Sequence, residues 1–101
     1  MRMLMKLRMP VEPFNTLVRN GTAGAKVREI LEEIKPEAAY FTAQDGYRGG
    51  IIIVHMNDTS EIPRFAEPFF LNFHAEVSFQ PAMLPEDLGR AGLEEIGKKW
   101  S

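Results

Sequence analysis

Apolar and polar residues alternate strictly from Arg2 to Met9: Met3, Met5, Leu7 and Met9 fall on one side, and Leu4, Lys6 and Arg8 on the other. A period of two marks a β-strand with one face on a core. Pro10 ends it. Beyond it the period changes. Phe14, Leu17 and Val18 form one helical stripe, and Val27, Ile30, Leu31 and Ile34 form another. At about 100° per residue the two stripes point to different sides of a straight rod. The spacing predicts a helix from Pro13 to Ile34, broken or kinked at Asn20-Gly21-Thr22 by a C-terminal stop and a threonine cap. The alternative is one continuous helix in which Gly21, Gly24 and Ala25 allow close packing.

Lys35-Pro36 closes that region. Glu37 to Ala43 reads as a strand, Gln44-Asp45-Gly46 as a turn, and Arg48 to Met56 as the second arm of an antiparallel hairpin. Asp58-Thr59-Ser60-Glu61 matches a capping box. Ile62, Phe65, Ala66, Phe69 and Phe73 then recur at helical spacing, with Pro68 expected to kink or split the helix. Ala75, Val77 and Phe79 alternate with Glu76, Ser78 and Gln80, giving a fourth strand that Pro81 closes. A last helix is expected from Pro85 to Lys99, with Leu88, Gly92, Ile96 and Trp100 as its contact stripe. Its acidic start and basic end suit the helix dipole, but its glycines weaken it.

The order β-α-β-β-α-β plus a tail helix is the split βαβ pattern. It predicts an α+β, ferredoxin-like single domain over residues 1–101, with a four-stranded antiparallel sheet in the order 4-1-3-2 and helices on one face. The isoleucine run sharpens this. Ile51 and Ile53 point one way, Ile52 and Val54 the other, so both faces of a central strand are apolar. Helices on one face leave the other as an apolar patch, which signals association. The economical arrangement is a homodimer with its sheets face to face, curling into a barrel. The alternative is that the tail helix covers the bare face.

In that element order, the hairpin Asp45-Gly46-Tyr47-Arg48-Gly49-Gly50 and the closing AEPFFLNFHAEVSFQPAMLPEDL resemble the ferredoxin-like dimeric α+β barrels. More narrowly, they resemble short uncharacterised bacterial members whose third strand reads Arg-Gly-Gly plus aliphatics. In those members the fourth strand ends in a Pro-x-Met turn before a Pro-Glu-Asp-Leu helix start. The resemblance implies a dimeric barrel with a ligand held between sheet and helices or inside the barrel. The wider superfamily includes cofactor-free monooxygenases, muconolactone-type isomerases, haem peroxidases and proteins of unknown role, so fold alone does not choose among them.

Composition narrows the chemistry. The chain has no cysteine, which removes disulfides, zinc thiolates, thiol nucleophiles and the paired-cysteine site of a copper chaperone. Its net charge of −2 argues against broad nucleic-acid binding, and its third strand lacks the aromatics of an RNA-recognition sheet. The two histidines lack metal-ligand spacing, and the double glycine is not followed by a helix, so neither a metal nor a phosphate loop is expected. No cofactor is expected. Lys6 and Arg8 interrupt the apolar start, and no segment reaches the ~18 apolar residues of a membrane span. A cytoplasmic location is expected.

His55 shares a strand face with Ile51 and Ile53, Arg8 shares one with Lys6, and Glu76 one with Ser78 and Gln80. If these faces coincide, a band of ionisable groups flanks an apolar floor, with His55 as an acid or base. The plainer reading pairs Lys6 and Arg8 with Glu76 across strands and leaves His55 a strand-end residue. Phe69 and Phe70 on the proline-bearing helix are candidates for an apolar cleft, and Tyr40 and Tyr47 for a hydrogen bond to a phenol or quinone. The expected ligand-contacting set is therefore Arg8, Tyr40, His55, Phe69, Phe70 and Glu76. The resulting expectation is a homodimer that binds a small apolar or aromatic molecule. The alternative is a cofactor-independent monooxygenase or isomerase, which would need His55, Arg8 or Tyr40 to converge on one pocket.

Overall fold

The computed structural model describes residues 1–101. Its elements are β1 (Arg2–Met9), α1 (Val11–Arg19), α2 (Ala23–Ile34), β2 (Ala38–Gln44), β3 (Tyr47–His55), α3 (Ile62–Phe73), β4 (Glu76–Pro81), α4 (Pro85–Gly89) and α5 (Leu93–Trp100). A turn of 3₁₀ helix at Thr59–Glu61 leads into α3. The four strands form one antiparallel sheet in the order β2-β3-β1-β4, as the element order implies.

Register decides which residues share a face. Met5 pairs with Ile52 on one side and Phe79 on the other, and Leu7 with Gly50 and Val77. The methionine–leucine side of β1 thus joins Ile52 and Val54 against the helices. Phe65, Phe69 and Phe73 of α3 and Ile30 and Ile34 of α2 close over them as the core. Phe14 of α1 extends it, its ring 5.1 Å from that of Phe73. Each such side chain contributes about 1.5–3 kcal/mol by leaving water.

The helical region after β1 is broken, at Asn20–Thr22, where Gly21 has φ 73°. Thr22 does not cap α2; its hydroxyl donates to the Leu17 carbonyl at 3.4 Å. Asp58 does cap the turn before α3: its carboxylate accepts from the Ser60 N–H, and Glu61 reaches back to the Asp58 N–H.

Two expectations about helices are corrected. α3 is one helix through Pro68, not two. The missing N–H deprives the Arg64 carbonyl of its helical donor, but Arg64 is exposed, where water serves. Meanwhile Phe65, Phe69 and Phe73 anchor both halves to one core. The tail, by contrast, is two helices. Gly92 takes a left-handed φ of 74° and separates α4 from α5, so no single stripe runs from Leu88 to Trp100.

α5 covers nothing in its own chain, since every residue from 91 to 101 is exposed. The molecule measures 60 × 28 × 19 Å with a radius of gyration of 17.1 Å, against about 13 Å for a compact 100-residue domain. The sheet face away from α1, α2 and α3 is left open. No helix is long and apolar enough to cross a membrane.

Candidate functional site

The open face is built from the residues that alternate with the core. β1 contributes Arg2, Leu4, Lys6 and Arg8; β3 contributes Tyr47, Ile51, Ile53 and His55. Across the ladders lie Ala38, Tyr40 and Thr42 of β2, and Glu76, Ser78 and Gln80 of β4. Leu4, Ile51 and Ile53 are half-buried by their neighbours and form an apolar floor, with Tyr40 exposed beside Ile51. Charged clusters frame this floor at both ends.

At one end Arg2 stands opposite His55, and Glu37, just before β2, reaches both. Arg2 donates from Nε and Nη2 to the Glu37 carboxylate at 2.6–3.0 Å, and His55 Nε2 lies 3.1 Å from Glu37 Oε1. An ionised carboxylate only accepts hydrogen bonds, so the contact places a proton on Nε2. The hydrogen bond from Arg2, and then that from His55, pulls the Glu37 carboxyl down to about 2 from an ordinary 4.5. A carboxyl depressed in the folded state stabilises above its unfolded pKa and loses that contribution as pH falls through the folded one. Glu37→Gln should therefore be less stable than the parent at neutral pH, with the gap closing between about 4.5 and about 2. Thermal unfolding across that range checks this; a gap unchanged down to the lower limit would contradict it.

At the other end Arg8 meets Glu76 at 2.6 Å across β1 and β4, and its guanidinium lies 5.1 Å from the centre of the Tyr47 ring. Lys6, Gln44, Asp45 and Ser78 join Arg8 and Glu76 around a depression of about 370 Å³. Lys6 makes no ion pair in its own chain.

A second recess, of about 410 Å³, lies at the hairpin on the helix side, between α1 and the β2–β3 turn. Phe14, Phe41, Tyr47 and Arg48 line it, and the Arg48 guanidinium stacks 4.7 Å from the centre of the Phe14 ring. Gly50 makes this arrangement possible. A Cβ there would stand 3.2 Å from the Phe41 ring and from the Tyr40 carbonyl oxygen, so a side chain at this position would press on that ring.

No family model matches the sequence, and no curated protein does. Among solved structures, 5-chloro-2-hydroxyhydroquinone dehydrochlorinase (TftG) of Burkholderia phenoliruptrix, determined in complex with 2,5-dihydroxybenzoquinone, is similar. The match has a TM-score of 0.61 and 17% identity, and covers 86% of this chain and 98% of that one. The fold is ferredoxin-like. The designed protein Ferredog-Diesel also matches, at a TM-score of 0.46 and 8% identity over 80% of this chain and 85% of that one.

Within the ferredoxin-like sheet the expected residues separate. Arg8 and Glu76 meet at one end of the open face and His55 stands at the other, six positions along β1, a distance of about 20 Å. Tyr40 lies between them on the floor. Phe69 is closed in the core, while Phe70 is on the exposed side of α3. Arg2 and Glu37 are the members that sequence reading did not include. Arg2 was accessible to it: once β1 and β3 pair antiparallel, the first residue of one lies opposite the last of the other. Glu37, expected as the first residue of the second strand, instead lies just ahead of β2, its N–H donating to the Ile53 carbonyl at 2.8 Å, and alternation with Ala39 and Phe41 gives no sign that it reaches His55.

Proposed function

We propose that this protein is a homodimer that closes its open sheet faces against each other and binds a small aromatic molecule in the recess between sheet and helices. The observation that carries the reading is the recess itself. Two phenylalanines and the Arg48 guanidinium border a space of about 410 Å³, within the range of small-molecule sites. Phe41, which is exposed, offers a face for a planar ring. Arg48 offers a planar fork of donors for an oxygen substituent. The dehydrochlorinase, which resembles this chain in fold, is bound to a dihydroxylated quinone, and that class of molecule fits the lining: flat, apolar in body, anionic or hydrogen-bonding at its edge.

The test is calorimetric titration with 2,5-dihydroxybenzoquinone. Binding is expected, weakened at least tenfold in Arg48→Ala, with the fold unchanged by circular dichroism. Absence of binding to the parent, or equal binding by the variant, would overturn the assignment.

A second reading is favoured by the Arg2–Glu37–His55 cluster, whose chain of hydrogen bonds orients an imidazole beside an apolar floor. Imidazole is the side chain that exchanges protons near neutrality, and a carboxylate behind it holds its ring and tautomer as in general-base sites. This cluster lies on the open face, away from the recess. It would act as the base of a cofactor-independent enzyme whose substrate lies on Leu4 and Ile53. Under that reading the protein accelerates exchange of the ring hydrogens of 2,5-dihydroxybenzoquinone into heavy water, and His55→Phe does not. No acceleration over buffer would sink it.

A further inference from the structure

We infer that the C-terminal segment from Met83 to Trp100 is an arm that docks on a second copy of this chain. An isolated helix shorter than about 12–15 residues is marginal in water. α5 has 8 residues, includes Gly97, and packs on nothing in its own chain. Its pattern nevertheless specifies a buried side. Leu93, Ile96 and Trp100, spaced three and four apart, share one face and are 58%, 48% and 77% exposed. Glu94, Glu95, Lys98 and Lys99 occupy the remainder. Met83, Leu84 and Leu88 add exposed apolar surface along the same arm.

The occupant is set by what the chain itself leaves unmatched. The arm starts at the rim of the open face: the Ala82 N–H donates to the Arg2 carbonyl at 3.0 Å, and Asp87 and Glu86 lie close enough to act on the Arg2 charge. Beyond that point every residue from 91 to 101 is exposed, so the apolar stripe packs on nothing in its own chain, and the molecule is drawn out to 60 Å. Charge is left over in complementary fashion. Lys6 lacks a carboxylate partner at the centre of the face, and Glu86 and Glu94 on the arm lack a cationic one. A two-fold pair of chains brings each arm to the other copy and extends the surface buried by the sheets. This inference rests on the homodimer reading above.

Trp100 is the only tryptophan, so its emission reports the arm alone. The experiment follows that emission in the full chain over a dilution series, with sedimentation equilibrium on the same samples. A blue-shifted maximum in the dimer is expected, moving to that of solvated tryptophan at the same midpoint as dissociation. Ile96→Glu should raise the dimer dissociation constant at least tenfold without changing the far-ultraviolet spectrum of the body. A dimer with solvent-like emission would overturn the arm and leave the dimer standing. Blue-shifted emission in a single-chain species would place the arm on its own body and overturn it too. A single-chain mass with solvent-like emission would remove the dimer itself, and the arm's partner with it.

Discussion

Replacing Ile53 by lysine is expected to convert the proposed homodimer to single chains that keep their native circular dichroism. Ile53 pairs with Leu4 on one side and Ala38 on the other, and its side chain is directed at the open face, away from α2 and α3. In one chain it is only half-buried, so a lysine there can reach solvent without disturbing the core. In the proposed dimer each copy loses an apolar contact of about 1.5 kcal/mol or more. Two copies lose about 3 kcal/mol, which is about a hundredfold in the dissociation constant before any cost of burying charge. Sedimentation velocity on the parent and the variant measures this directly. Ile52→Lys is the control: Ile52 is fully buried beneath the helices, and its replacement should unfold the chain rather than dissociate it. If Ile53→Lys sediments like the parent dimer, the open face is not the interface.

Phe65→Ala should be the most damaging simple truncation in the core. The ring is fully buried on the first turn of α3 that meets the sheet, within the cluster that includes Phe69, Phe73, Met5 and Ile52. Removing a buried phenyl costs about 3–5 kcal/mol, from lost transfer energy and from the cavity left behind. A small domain has about 5–15 kcal/mol in total. The variant should therefore unfold at a much lower urea midpoint, and populate unfolded chain at 25 °C if the parent is at the low end. A loss below about 1 kcal/mol would mean that α3 packs elsewhere. Because α3 carries Phe73, which supports Phe14 at the edge of the recess, the same variant should also weaken any aromatic ligand.

Much of this architecture was legible because its strands announce themselves in single residues. The alternation of Met3, Met5, Leu7 and Met9 locates the core face of β1, and the unbroken Ile51–Val54 run identifies β3 as apolar on both faces. Pairing those two strands centrally leads to the observed sheet order. The helices were less legible. Pro68 carries a strong local cost, yet three phenylalanines on one face outweigh it; propensity is read from one residue and packing from the whole core. The tail broke in the opposite way. With no core to hold it straight, Gly92 turned left-handed and split the helix. The candidate sites show the same division. Of the two cations expected to pair with Glu76 from strand faces set by alternation, Arg8 does so and Lys6 does not. The partner of His55 is not legible from the period: Glu37, expected as the first residue of the second strand, lies just ahead of β2, and alternation with Ala39 and Phe41 would turn it to the helix side.

The central claim is that the open sheet face is an interface, and sedimentation equilibrium of the full chain tests it most directly. The account predicts a species of twice 11.5 kDa at micromolar concentration, dissociating on dilution in a single reversible transition. A mass of 11.5 kDa at every concentration up to the solubility limit would contradict it.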